Sequence, residues 1–80
     1  MATDIVLYVT PMCGPCEQVK SYLTALGVEF DVIDVMMDEE AGELLDSKGI
    51  RSAPALRVGE EIVAGASLVP DRIDALLGIG

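Results

Sequence analysis

The 80-residue chain has no histidine and no tryptophan, one phenylalanine and two tyrosines. It carries five Lys and Arg against fourteen Asp and Glu, a formal charge of −9. Each shortage closes off a class of function. Nucleic-acid binding through phosphates needs a basic surface, which this composition does not supply. A polybasic membrane contact is disfavoured for the same reason. Without histidine there is neither the commonest general base nor a His-containing zinc site. No apolar run reaches the length of a membrane span, and Met1-Ala2-Thr3-Asp4 lacks the basic start of a signal peptide. The expectation is one domain over residues 1–80, cytoplasmic and monomeric, with no nucleic-acid or membrane partner. With 51% hydrophobic residues and few aromatics, its core must be built mainly from aliphatic side chains.

Two cysteines are too few to staple a secreted scaffold. A bridge between Cys13 and Cys16 closes a tiny loop and restrains little of the unfolded chain. Chemistry explains the pair better. The stretch Thr10-Pro11-Met12-Cys13-Gly14-Pro15-Cys16 lies between an apolar run, Ile5 to Val9, and a helical pattern, Glu17 to Leu26, stopped by Gly27. A cysteine at a helix N-terminus meets unpaired backbone N–H groups and the positive end of the helix dipole. Both favour the thiolate, which is the nucleophile. The plainer readings are half a zinc site completed by a dimer, or two inert core thiols; placement at a helix start weighs against both. A copper-binding Met-x-Cys-x-x-Cys motif fails because residue 11 is Pro.

Asp4 to Thr10 reads as a central strand, because its apolar residues are continuous rather than alternating. Cys16, Val19, Leu23 and Leu26 form one buried stripe on the following helix. Val28 to Val35 alternates with charges and predicts an edge strand. Met36 and Met37 are expected to fill gaps in the core. Asp38 caps a second helix that has acidic residues in its first turn and an apolar face of Ala41, Leu44 and Leu45. Ala55 to Val58, the turn Gly59-Glu60, and Glu61 to Val63 or Ala64 make an antiparallel hairpin. Pro70 opens a last helix with Ile73, Leu76 and Leu77 inward, and Gly78 stops it. The order β-α-β-α-β-β-α is an α/β arrangement: a four-stranded mixed sheet flanked by helices, with a right-handed parallel crossover between the first two strands.

Cys13-Gly14-Pro15-Cys16, after a strand and opening a helix, resembles the active site of the thioredoxin superfamily. The strand that begins directly after Ala53-Pro54 resembles that superfamily's loop, in which a cis-proline faces the cysteines. The element order spans essentially the whole chain and is similar to the minimal glutaredoxin-like thioredoxin fold. Gly14-Pro15 is the thioredoxin dipeptide, but the thioredoxin Trp before the first cysteine and buried Asp six residues before it are here Met12 and Leu7. Tyr8-Val9-Thr10-Pro11-Met12-Cys13 is nearer the glutaredoxin pattern of an aromatic residue and Lys-Pro-x-Cys, with Thr10 in place of Lys. Ser52-Ala53-Pro54 stands where glutaredoxins have Thr-Val-Pro, and Gly65-Ala66-Ser67 partly echoes their Gly-Gly segment and following Asp. Val69-Pro70-Asp71-Arg72-Ile73 is similar to the Pro-Asp-Lys-Ile helix start of NrdH-redoxins. Those glutaredoxin-like proteins take electrons from thioredoxin reductase and supply ribonucleotide reductase.

The resemblance implies a dithiol–disulfide oxidoreductase with no bound cofactor beyond a redox-active Cys13–Cys16 disulfide and no metal. Cys13 attacks a substrate disulfide and Cys16 resolves the mixed disulfide. Pro11, Met12, Gly14, Pro15, Ala53, Pro54, Gly65 and Ala66 form the expected substrate-binding rim. Tyr8 belongs either to the core or to this site. The expected partners are disulfide-containing proteins, ribonucleotide reductase among them, with thioredoxin reductase or glutathione as reductant. An acidic chain without the usual Lys and Asp contacts, offering Arg51 and the backbone beside Pro54, favours a thioredoxin-like electron source over glutathione. The alternatives are a glutathione-dependent glutaredoxin, a non-enzymatic redox switch or binding module, and a glutathione-ligated iron–sulfur carrier, which usually has a single active-site cysteine.

Overall fold

The structure is a computed structural model that describes residues 4–50, 53–65 and 68–78. Along the chain run β1 (Ile5–Val9), α1 (Gly14–Ala25), β2 (Asp31–Asp34), α2 (Glu39–Ser47), β3 (Ala55–Val58), β4 (Glu61–Ala64) and α3 (Pro70–Leu77). The sheet order is β2-β1-β3-β4. β1 runs parallel to β2 and antiparallel to β3, which pairs antiparallel with β4. This is the mixed four-stranded arrangement expected from the element order, with β1 inside and β2 at an edge.

The continuous apolar run of β1 is explained by burial on both faces. Leu7 packs with Val19 and Leu23 of α1, Leu56 of β3, and Leu68 and Ile73 at α3. Val6 and Tyr8 point the other way, against Ala41 and Leu45 of α2 and Ala55 of β3. Helices α1 and α3 therefore cover one face and α2 the other. Leu7, Leu23, Ala55 and Leu56 are fully buried. Burying a leucine side chain stabilises by about 1.5–3 kcal/mol, so these positions anchor the centre of the sheet.

The ends of the elements follow local chemistry. The Asp38 carboxylate accepts a hydrogen bond from the Ala41 N–H at 3.1 Å and caps α2. Pro70 occupies the first turn of α3, where its missing N–H leaves no bond unmade. Gly78 ends that helix at φ 74°, a left-handed position that suits glycine.

Helix α1 starts at Gly14 and holds Pro15 and Cys16, as the cysteine stripe implies. Three expectations change. The stripe Cys16, Val19, Leu23 is buried, but Leu26 is exposed because it is the C-cap, its N–H donating to the Tyr22 carbonyl. β2 pairs only over Asp31–Asp34: the Val28 N–H donates instead to the Leu23 carbonyl at 3.3 Å, which ties residue 28 to the end of α1. Met36 and Met37 do not fill the core; they are 71% and 85% exposed. After β2 the Asp34 carboxylate accepts the Met36 N–H at 2.8 Å, and the Asp34 carbonyl accepts those of Met37 and Asp38 at 3.0 Å. That tight turn directs both methionines outward.

One tertiary hydrogen bond had no signal in the sequence. The Tyr22 hydroxyl donates to Asp74 Oδ1 at 2.6 Å and joins α1 to α3. This bond raises the Tyr22 phenol above its ordinary value of 10.0, helped by desolvation and by the charges of Asp74 and Asp71. A raised phenol favours the neutral form in the folded protein. Its stabilisation is complete below the unfolded value and disappears as pH climbs through the folded one. At neutral pH the protein should be more stable than Tyr22→Phe, and the margin should close above pH 10.0. Urea unfolding of both across alkaline pH checks this; a margin independent of alkaline pH would contradict the bond.

Candidate active site

Four residues, Thr10 to Cys13, link the end of β1 to the start of α1. Thr10 is half-buried, and Pro11 and Met12 form an exposed turn. Pro11 cannot extend the ladder because it has no N–H. Met12 turns the chain with φ 57°, the left-handed region where a side chain is strained. That reversal delivers Cys13 in extended geometry, φ −101° and ψ 106°, as the N-cap of α1. Its Sγ accepts the Cys16 N–H at 3.1 Å, where a capping Ser or Asp would place an oxygen. The Cys13 carbonyl accepts the Glu17 N–H at 3.2 Å, the first turn of the helix.

Cys13 and Cys16 are joined as a disulfide, with Cα atoms 5.2 Å apart. Their environments differ sharply. Cys13 is half-buried on the turn. Cys16 is 1% exposed, on the same helix face as Val19 and Leu23. Gly14 and Pro15, between them, are exposed in the first turn of α1. Glu17 is turned along the helix towards Lys20, at 4.0 Å, and both are solvent-exposed.

The second part of the site comes from β3. The Ala53–Pro54 peptide is cis, and Pro54 is buried. The sheet register pairs Tyr8 with Ala55, and Ala55 with Ala64. Continuing that antiparallel register sets Pro54 level with Val9 and Ala53 level with Thr10, at the end of the sheet from which Cys13 is reached. The Pro54 carbonyl accepts the Gly65 N–H at 3.0 Å, so Gly65 fastens the proline loop from the far side. Gly65 has φ 64°, which a glycine adopts without strain. Ala66, expected on the substrate rim, lies outside the described residues, as do Arg51 and Ser52.

Thr10 and Ala53 share a cavity of about 220 Å³ with Tyr8, Val35, Gly42, Leu45, Asp46 and Ile50. Tyr8 is 3% exposed: it is a core residue that also walls this cavity. No sequence pattern places the α2 residues or Ile50 near the site. The apolar stripe of α2 signals burial, but not what it is buried beside. Among the described residues no group of three His, Cys, Asp or Glu side chains is arranged to hold a metal ion. No helix of the described residues is long and apolar enough to cross a membrane.

Residues 5–63 match the family model described as Glutaredoxin. The chain belongs to the glutaredoxin family. It is similar to the Gene 56 protein of Mycobacterium phage D29, with 30% identity over 77 residues, 96% of this chain and 86% of the relative. Among solved structures it resembles a thioredoxin-like protein at TM-score 0.84 and 32% identity, covering 96% of this chain and 97% of the other. It also resembles the glutaredoxin-like protein NrdH-redoxin from Escherichia coli at TM-score 0.81 and 30% identity, covering 90% and 92% of the two chains. This glutaredoxin-family chain is a thiol–disulfide oxidoreductase carrying its cysteine pair at positions 13 and 16.

The positive φ of Met12 gives a test of the turn. Replacing Met12 by Gly should raise the unfolding free energy of the oxidised protein by about 0.5–1 kcal/mol, the left-handed penalty less the extra freedom of glycine in the unfolded chain. Urea midpoints measure it; an unchanged or lower midpoint would show that Met12 does not hold this conformation.

Proposed function

We propose that the protein is a dithiol reductant of protein disulfides, with Cys13 as nucleophile and Cys16 as resolving thiol. The observation that carries this reading is the asymmetry of the pair. Cys13 Sγ sits at a helix N-terminus, accepts a backbone N–H and is partly open to solvent, whereas Cys16 is 1% exposed. An incoming disulfide can reach the first sulfur and not the second.

In the reduced protein the Cys13 thiolate attacks one substrate sulfur. The substrate S–S bond breaks, its second sulfur leaves as a thiolate, and a mixed disulfide joins the substrate to Cys13. Cys16 loses its proton and attacks Cys13 Sγ. The remaining substrate thiolate is released, and the Cys13–Cys16 disulfide forms. Two electrons pass to the substrate, and an external reductant restores the dithiol. Pro15 preorganises the helix start without an N–H to satisfy. Gly14, with no atom within 4 Å of an added Cβ, keeps the approach to Cys13 low. Pro11, Met12, Ala53 and Pro54 form the apolar rim, the Ala53 backbone pairs with an extended substrate segment, and Gly65 supports that loop through its bond to Pro54.

A thioredoxin-like electron source is the reading favoured for this site. The NrdH-redoxin neighbour is described as having a thioredoxin-like activity profile. Thr10 stands where a lysine would contact a glutathione carboxylate, and the chain's −9 charge opposes an anionic thiol. We therefore assign thioredoxin reductase as reductant and disulfide-containing proteins, such as ribonucleotide reductase, as acceptors, with the domain working as a monomer in the cytoplasm.

Cys13→Ser should abolish insulin-disulfide reduction, and Cys16→Ser should accumulate a mixed disulfide visible on non-reducing gels. Retained turnover by Cys13→Ser would overturn the assignment of the nucleophile. Turnover with NADPH and thioredoxin reductase should exceed that with glutathione and its reductase; the reverse order would overturn the assigned electron source.

A further inference from the structure

Three exposed methionines collect at the cysteine end of the sheet. Met12 is fully exposed and directly precedes Cys13. Met36 and Met37 follow β2 and are also open to solvent. Because β1 and β2 are parallel, the chain leaves both at the same end. The Val35 N–H donates to the Val9 carbonyl at 3.0 Å and holds the two exits together. Met36 and Met37, one and two residues past Val35, therefore leave the sheet at the end where the Met12 turn leaves β1. Their exposure is built in, since the Asp34 turn spends its hydrogen bonds directing Met36 and Met37 outward. Exposed apolar patches beside a reactive group mark interaction surfaces, and unbranched methionines adapt to varied partners.

The segment that carries Met36 and Met37 is charged with one sign, and Arg57 of β3 is a cation that lines a pocket with its Asp38 and Glu40. Between Ser21 and Ser47 there are eight of the chain's fourteen acids and no Lys or Arg. Asp34, Asp38, Glu39 and Glu40 directly flank the two methionines. A second copy of this chain would bring the same negative field and be repelled. A basic surface would be drawn in, with the steering strongest at low salt.

We propose that the methionine patch and the acidic β2–α2 edge together dock a redox-partner protein whose disulfide is flanked by lysine or arginine and by apolar side chains. This rests on the reductant reading above and adds the chemistry of the partner. Cys13 supplies the reaction, and the neighbouring surface selects which disulfide reaches it.

The test uses the reduced full-length protein and two synthetic disulfide-looped peptides, identical except that Lys-Leu flanks in one are Glu-Leu in the other. The uncharged small disulfide of 2-mercaptoethanol is the control. Stopped-flow rate constants should favour the Lys-Leu peptide by about tenfold at low salt. The preference should vanish near 1 M salt, where the Debye length is about 3 Å. The double variant Met36→Ser, Met37→Ser should slow the Lys-Leu peptide severalfold at both salts and leave the small disulfide unchanged. Glu39→Lys with Glu40→Lys should flatten the salt dependence. Equal rates for the two peptides, or rates unmoved by both variants, would overturn the docking surface while leaving the reductant reading standing. Failure to reduce even the small disulfide would overturn both.

Discussion

Between Val6 and Tyr8 the chain has no face open to water, and this two-sided burial fixes where everything else must lie. Leu7 faces one helical layer, while Val6 and Tyr8 face the other. A strand packed on one side can slip in register by moving residues between core and solvent. β1 has no solvent face to exchange with, and it is bonded on both edges, to β2 and β3. Its end at Val9 is therefore held from four directions. The Cys13 turn inherits that precision through a connection of only a few residues, and Pro54 reaches the same level from β3. The chemistry rests on an end of the sheet that cannot drift.

The same economy separates the two sulfurs. A spacing of three residues across a helix start puts the first cysteine outside the helix, as its cap, and the second one turn inside. The cap position meets backbone N–H groups that need an acceptor, and Sγ of Cys13 takes one of them. The inner position falls on the α1 stripe and is sealed by the core. One short motif thus gives two sulfurs different accessibility without a basic side chain or a metal being required. The Gly65–Pro54 bond completes the frame from β4, so three strands contribute to the site.

Features governed by neighbours in sequence were legible there. The Asp38 cap, the Gly59-Glu60 hairpin turn, Pro70 at the start of α3 and Gly78 at its end each follow from one residue's own backbone or hydrogen-bonding preference, and the continuous run in β1 announces its burial. Features that depend on which of two partners wins a hydrogen bond were not legible. Val28 and Phe30 alternate like a strand, but the Val28 N–H is taken by Leu23, and sheet pairing begins only at Asp31. Met36 and Met37 have the composition of core fillers; the carboxylate of Asp34, two residues earlier, decides that they face water. Tyr22 and Asp74 lie 52 residues apart, and no local pattern links them. The cysteine motif was readable because its chemistry is local, whereas the cavity behind Thr10 and Ala53 was not, because its wall is assembled from four separate segments.

The acidic surface poses a problem that magnitudes resolve. A charge of −9 opposes a thiolate at Cys13, which the proposed reaction requires. A unit charge 10 Å away across water contributes about 0.4 kcal/mol before screening, and at physiological salt the Debye length of about 8 Å reduces it further. A helix N-terminus acts at contact distance and contributes about 0.3–1 kcal/mol, with a net hydrogen bond adding about as much again. The local terms therefore govern the sulfur, and the dispersed carboxylates only trim them. Over the longer path of an approaching protein the balance reverses: many weak contributions of one sign add, while the helix terminus is too short-ranged to be felt. The two electrostatic features act at different distances, so an acidic surface can govern encounter without defeating the proposed nucleophile.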